Sequence, residues 1–587
     1  MQTKNWLLFF LFFMVLGCNQ SLKSGDVDQN PQPNEQSNDP SDDQLNKKPE
    51  FTNPGASVYF RFNQHGYEVK DTKSVLLMTS LNIGGQSLQV LGLAEGLVKA
   101  SFLIEVDKGS FGEFSHLYEV DLSSLQTPGL YQLVFEQNAS SPIRIANGIY
   151  SEVASQTLDF FKVQKCGGSE ALLHKPCHLL GSIVVGGPSH GKMIDVAGGW
   201  HDSGDYIKYS HIAAISAALM MSTYQINPLA FDDENKNGLP DVLDETRHVS
   251  DWLLKMWDPA NKVLYYQVAD GESDHIGWRM PEEDDLRHAP RKVYALPGTA
   301  GANVAGKVGA ALAMTAQIFG DTTKSYYDPI YSSQCKKAAI DIYAYGKLRP
   351  ANLVSVNRYY DEHSWKEEMG LAATEIYRLT KKSSYLAEAK NYLSSVQNAW
   401  ILDWDNIHAF SHFRLALADP NYRSTAVKLL KSDLNSYVNY SKAHKFEAAV
   451  DDYYWGSTTH IIGAAITAKW YYILTKQTTF KVLETKQRDY LLGRNPWGVS
   501  FVSQIGAKFP TKPHHNISVS KGVQIPGFWT GGPVVPSSWE PFDFPITNNT
   551  YSEFNSPEAV YYDDSADYAT NEPTGFAAAL GFAFAGL

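Results

Sequence analysis

The chain has 587 residues, enough for several domains and a large buried core. Hydrophobic residues make up 43% and charged residues 19%, as in a globular protein, and a net charge of −13 with no cluster of Lys and Arg argues against a nucleic-acid partner. Aromatic residues are in surplus at 13%, which suits stacking on sugar rings as well as a large core.

Residues 1–17 read as an export signal: Lys4 flanks an apolar run from Trp6 to Leu16 that is too short to span a bilayer. The run ends in Val15-Leu16-Gly17-Cys18, which resembles a bacterial lipobox with Cys18 as the lipidated residue. An exported lipoprotein at the outer membrane or cell surface is expected, the alternative being an ordinary secretory signal and a periplasmic or secreted protein. Residues 18–54 are polar and almost free of apolar side chains, the composition of a disordered tether.

Residues 55–147 hold seven short apolar or alternating runs, among them 58–62, 74–78, 100–106 and 130–135, separated by turns such as Gly84-Gly85 and Pro128-Gly129. That punctuation predicts an all-β immunoglobulin-like sandwich. From residue 150 to 587 the period changes. Ten or more helical segments are predicted, including 206–221, 246–256, 304–319, 365–379, 458–474 and 574–584, with no strands between them. An all-α domain of this size has to close on itself, and without a fixed-length repeat a helical barrel is favoured over a solenoid. The long loops 263–294 and 496–556 are rich in Trp, Tyr, Pro, Gly and His, as functional loops are, and Trp278, Trp455 and Trp497 are cleft candidates there or nearby.

Four constellations carry chemistry. Gly198-Gly199-Trp200-His201-Asp202-Ser203-Gly204-Asp205-Tyr206 sets two carboxylates between aromatic residues in a glycine-rich loop. It could activate a water beside a sugar stacked on Trp200 or Tyr206, or Asp205 could merely cap the following helix. A second acidic stretch, Tyr561 to Pro573, ends in Glu572, either a general acid with a raised pKa or a carboxylate favouring a helix dipole. Cys166, Cys177, His178 and His201 have the ligand types of a closed tetrahedral zinc site, against a Cys166–Cys177 disulfide in an exported protein. Asp233, Asn235, Asn237, Asp241 and Asp244 have the oxygen spacing of a calcium loop, or form a solvated turn before a helix. Cys335 is expected to be a buried apolar residue.

The loop with Asp202 and Asp205 resembles the Asp-x-x-Asp signature of glycoside hydrolase family 9, and Tyr561, Asp563, Tyr568 and Glu572 match its second signature. Asp489 to Pro496 and Pro513-His514-His515 are similar to the same family. The resemblance implies an (α/α)6 barrel that hydrolyses β-1,4-glycosidic bonds with inversion. Asp205 would be the base, Asp202 would orient the same water, and Glu572 would be the acid, about 6.5–9.5 Å from the base to admit that water. His514, Trp200, Tyr206 and Tyr568 would contact substrate. In the branch with an immunoglobulin-like domain, the Cys and His set implies structural zinc, and family members also bind calcium. Asn516 stands where the family has Arg, which opens the substrate subclass. A cellulose-type glucan cleaved internally is expected; xyloglucan, exo-action on oligosaccharides including amino sugars, or a non-catalytic glycan-binding lipoprotein are the alternatives.

Overall fold

A computed structural model describes residues 57–587 apart from 288–289, 354, 397–400, 540–545 and 549. The signal at 1–17, Cys18 and the whole tether at 18–54 lie outside the described residues.

The N-terminal part is the expected sandwich of two antiparallel sheets. One pairs Tyr59–Arg61, Ser74–Thr79, His116–Asp121 and Val106–Asp107 in that order. The other runs Leu97–Leu103, Ser87–Gly92, Gly129–Phe135 and Asn138–Ala139, with Ile143–Ile145 also on Gly129–Phe135. Alternation decides the packing. In Ser87–Gly92, Leu88 and Val90 point inward to Leu133 and Tyr131 while Ser87 and Gln89 face outward.

Twelve helices of eleven or more residues follow among the described residues, beginning with Ser151–Gln164 and ending with Gly575–Gly586. Six form an inner ring in which each packs on the next: Ser210–Ile226, Ala302–Phe319, Lys366–Thr380, His408–Ala418, Ser457–Thr475 and Gly575–Gly586, the last closing on the first. Ser210–Ile226 and Ala302–Phe319 are buried nearly all round, which fits sequences rich in Ala and other apolar residues on every face. Outer helices such as Asp241–Lys255 bury one stripe only. Cys335 is buried as expected.

Two expectations need correction. The helical domain is not free of strands. A small mixed sheet orders Met193–Ile194, Ser182–Val185, Lys292–Ala295, Val263–Val268 and Lys208–Tyr209, and Trp257–Asp258 also pairs with Val263–Val268. Its strands are two to six residues long, too short for a periodic run to announce them. Residues 263–294 therefore begin and end in strands of this sheet, with short helical turns between, and its strand Lys208–Tyr209 begins three residues after Asp205. The second is the reading of Trp497 as a cleft residue, for the stretch from Asp489 to Pro496 before it lies at the domain junction. Asp489 accepts Asn63 Nδ2 at 2.8 Å, Arg488 pairs with Asp71 at 2.5 Å, and Arg494 pairs with Glu119 at 2.7 Å. Trp497 is buried there and donates to Asn555, away from any cleft.

Candidate active site

Three loops from distant parts of the chain meet where the sheet and the inner ring end. The loop at 198–206 is tied to the segment around His514, because Asn516 N donates to Gly204 O at 2.8 Å. Gly204 has no room for a side chain: a Cβ would lie 1.9 Å from the His514 carbonyl oxygen. The loop is also tied to the last inner helix, whose Gly575 N donates to Asp202 O at 3.0 Å. Asp563 fastens the third loop to the second by accepting Thr511 N, Thr511 Oγ1, Lys512 N and Asn571 Nδ2. Asp567 caps its short helix and Asp564 binds Thr547 and Asn548, so of the acids in this stretch Glu572 is the one these loop bonds leave free.

Asp205 does not cap a helix. The helix Ser210–Ile226 starts five residues later, and Asp205 Oδ1 accepts Ile207 N at 3.1 Å, closing a local turn. Its Oδ2 accepts the Nε2–H of His275 at 2.9 Å. Burial alone would lower the His275 pKa. The bond to Asp205 and the charges of Asp205, Asp274 and Glu572 outweigh burial and lift it to about 9, so His275 faces Asp205 as a cation. Asp202 is buried beneath, accepts the Tyr360 hydroxyl, and is pushed up to about 7 by burial and by the charge of Asp205. Glu572 keeps part of its surface open to solvent yet is desolvated. Desolvation, with the charges of Asp205 and Asp202, lifts it to about 8 against His275 and the Gly204 N–H. Thr574 caps the helix Gly575–Gly586, so Glu572 lies outside its first turn.

The substrate-contact expectations divide. Trp200 is 4% exposed and packs on Phe161 with ring centroids 4.4 Å apart. Tyr206 is fully buried, its hydroxyl donating to Arg279 O at 2.6 Å. Both are core residues: the loop turns Asp205 outward and its aromatics, with Asp202, inward. Tyr568 and His514 are half-exposed and their rings are 6.0 Å apart, with His514 Nδ1 donating to Ser565 O. Burial lowers His514 to about 4, so it is a neutral ring. Trp278, 42% exposed, stands edge-on to His514 at 4.8 Å, and Trp455 is half-buried with Nε1 donating to Tyr568 O. Asn516 is buried at the start of the short helix Asn516–Lys521. His275, Tyr359 and Tyr360 were not expected. Tyr359 is exposed and stacks on His275 at 5.7 Å. The run Tyr359-Tyr360-Asp361-Glu362 has the same mix of aromatic and acidic residues as the two recognised loops and was a usable signal; a lone histidine 70 residues from Asp205 was not.

Cys166, Cys177, His178 and His201 come together, all four buried. The cysteines are unpaired, so no disulfide joins them. His201 Nε2 lies 3.2 Å from His178 Nδ1, Cys166 Sγ 3.5 Å from His178 Nδ1, and Cys177 Sγ 3.9 Å from His201 Nε2. A tetrahedral site with metal–nitrogen bonds near 2.0 Å and metal–sulfur bonds near 2.3 Å has edges of roughly 3.3–3.8 Å, so the set could hold a metal ion. His201 Nδ1 has no partner, whereas His178 Nε2 donates to Asp284 at 3.0 Å. Burial brings His201 down to about 3, keeping it neutral, and Lys208 Nζ donates to Cys166 Sγ at 3.2 Å. His178 has a φ of 52°, a strained backbone for a histidine.

The calcium-loop residues bond to one another. Asp233 accepts Asn237 N and Gly238 N, Asp244 accepts the side-chain amides of Asn235 and Asn237, and Asp241 accepts Glu234 N and pairs with Lys162.

The chain is similar to known endoglucanases. A xyloglucan-specific endo-beta-1,4-glucanase of Bacteroides ovatus is 26% identical over 498 residues, covering 77% of this chain and 81% of its own. Endoglucanase D of Acetivibrio thermocellus is 27% identical over 454 residues, 71% of this chain and 69% of its own. Among solved structures, a thermostable endoglucanase from Alicyclobacillus acidocaldarius superposes with a TM-score of 0.75 at 23% identity, over 90% of this chain and 98% of that one. A zinc-binding triple mutant of the family 9 endoglucanase J30 superposes with a TM-score of 0.74 at 24% identity, over 88% and 99%. The cellulase N-terminal immunoglobulin-like domain matches residues 56–140, and glycosyl hydrolase family 9 matches residues 150–583. With that family matched over residues 150–583, and two loops carrying Asp202, Asp205 and Glu572 to one end of a ring of six inner helices, this chain belongs to glycosyl hydrolase family 9.

Proposed function

We propose that this hydrolase cleaves β-1,4-linked glucans internally, with inversion at the anomeric carbon. The observation that carries the reading is the meeting of Asp202, Asp205 and Glu572 within reach of one another's charge, with Asp205 bonded to His275 at 2.9 Å. Glu572 holds its proton to about 8, while Asp205 faces a cationic His275. Glu572 would protonate the leaving oxygen. Asp205 would take a proton from the attacking water, and Asp202, held by Tyr360, would help to place that water. Trp278, Tyr359 and Tyr568 offer exposed ring faces for sugar stacking. Product analysis on a polysaccharide panel tests the substrate: long mixed oligomers from cellulose-type glucans support endo-action, and a single small sugar overturns it. The name of the Bacteroides ovatus relative favours xyloglucan as a second substrate, which the same panel separates.

We also infer a structural zinc at Cys166, Cys177, His178 and His201. A four-coordinate site has no open position, so the ion would fix the shape of the loop and take no part in the chemistry. Calcium at Asp233 to Asp244 would require Asn235 and Asn237 to present their amide oxygens; an unchanged melting temperature on calcium titration would end that idea. Export and lipidation at Cys18, with an outer-membrane or surface location, rest on the sequence of residues 1–18. A Cys18→Ala variant should move from the membrane to the soluble fraction.

A further inference from the structure

Asp274, Arg279 and Asp284 stand five residues apart on the segment that carries Trp278, and all three are buried. Asp284 is bonded on both sides. Its Oδ2 accepts the Nε2–H of His178 at 3.0 Å and its Oδ1 accepts Arg279 Nε at 2.5 Å. Arg279 then staples the segment: Nη2 donates to Asp274 Oδ1 at 2.9 Å, and Nη1 donates to the carbonyls of Asp274 at 2.8 Å and Gly277 at 3.2 Å. Asp274 Oδ2 accepts the backbone N–H of Tyr206, the residue after Asp205, at 2.8 Å. It also immediately precedes His275, which holds Asp205 at 2.9 Å. An unbroken series of bonds thus runs from a ligand of the Cys and His cluster to the carboxylate proposed as the base.

We infer that Asp284, Arg279 and Asp274 are a positioning strap that couples the state of the metal cluster to the placement of Asp205. The inference rests on the metal and base assignments proposed above. At the metal end, the carboxylate of Asp284 accepts the Nε2–H and so selects the tautomer in which His178 turns a bare Nδ1 toward Cys166 Sγ and His201 Nε2. In the middle, one planar guanidinium spans two carboxylates and two carbonyls, which a lysine ammonium cannot do. The charges balance within the buried set: Asp274 and Asp284 face Arg279 and Arg291, the latter 3.7 Å and 3.9 Å from them. Cutting one link therefore leaves an uncompensated charge next to His275. The strap positions; the sugar is left to the exposed rings beside it.

Two substitutions in the holoenzyme test this. In Asp284→Asn the side-chain amide can donate to His178 Nε2, which moves the imidazole proton to Nδ1 and spoils the ligand. Zinc affinity, read by competition with a chromogenic chelator, should fall by about 10–100-fold. In Arg279→Lys zinc affinity should stay within about threefold, while kcat falls about tenfold and KM stays within about twofold, as expected for a misplaced base. Stripping the metal from the wild type should lower kcat to a similar degree and add less than about threefold in Arg279→Lys, where the strap is already cut. Unchanged zinc affinity in Asp284→Asn, unchanged kcat in Arg279→Lys, or losses that simply multiply would overturn the strap. If the purified wild type holds no metal, the zinc reading fails and the kcat–KM split of Arg279→Lys decides. If it cleaves no β-1,4-glucan, the base reading fails and the zinc affinity of Asp284→Asn decides.

Discussion

Two clusters share the loop at residues 198–206 and are built in opposite ways. Around His201, four cysteine and histidine side chains that could hold a metal ion are sealed from water, the imidazole is held neutral, and His178 keeps a strained backbone. Around Asp205, four residues on, His275 and Glu572 keep surface open to solvent, and charges that would repel or pair freely in water are held in contact. The closed cluster suits a part that must not move or react. The open one suits a part that must admit a sugar and a water and exchange protons. Burial serves the first by excluding competitors for its sulfur and nitrogen atoms; at the second, burial and neighbouring charge raise Asp202 and Glu572.

The largest effect should come from the open cluster. Glu572→Gln and Asp205→Asn should each lower kcat by about 10²–10⁴, the range for losing a positioned acid or base. Near-normal turnover in either variant, measured on soluble β-1,4-glucan, removes the assignment. Next comes the closed cluster, where the readout is stability. Cys177→Ser, or chelation of the metal, should lower Tm by roughly 5–10 °C, taking several kcal/mol for a structural zinc and about 2 °C per kcal/mol for a chain this large. If Tm is unchanged in a calorimetric scan, the contrast between the two clusters collapses. Smaller still is Trp278→Ala, which should raise KM about fivefold through lost stacking with kcat within about twofold; a loss confined to kcat would place Trp278 in the acid–base machinery.

The smallest effect links the open cluster to stability. Activity should decline as pH rises through about 8, where Glu572 loses the proton it must donate. The folded protein keeps that proton to about 8, while the unfolded chain releases it near 4.5. Between those values the folded state binds more protons, so this group makes stability fall as pH rises. Glu572→Gln removes the dependence and should melt slightly above the wild type at pH 8, even though it is inactive. A Tm at or below wild type there would show that the carboxyl is not strained by its site.

Much of this was legible in one dimension. Seven β runs with turn residues between them gave the sandwich, because alternation reports which face of a strand is buried. The barrel helices showed through their long apolar runs, and Asp202, Asp205, Glu572, Cys166, Cys177, His178 and His201 stood out by residue type, but spacing alone left a helix cap and a disulfide open, and it was the resemblance to glycoside hydrolase family 9 that implied their roles. What local sequence could not settle was direction and partnership. Trp200 and Tyr206 flank the carboxylates in sequence but turn into the core, because a loop between a helix ring and a sheet must bury one face to hold the other out. The small sheet beside the site is made of pieces too short to show a period, paired across as many as a hundred residues. His275, Tyr360, Arg279 and Asp284 acquire their roles only from neighbours that the fold supplies. An ion pair or a hydrogen bond depends on distances of about 3 Å in space, and those are fixed when the inner ring closes and brings the three loops to one place.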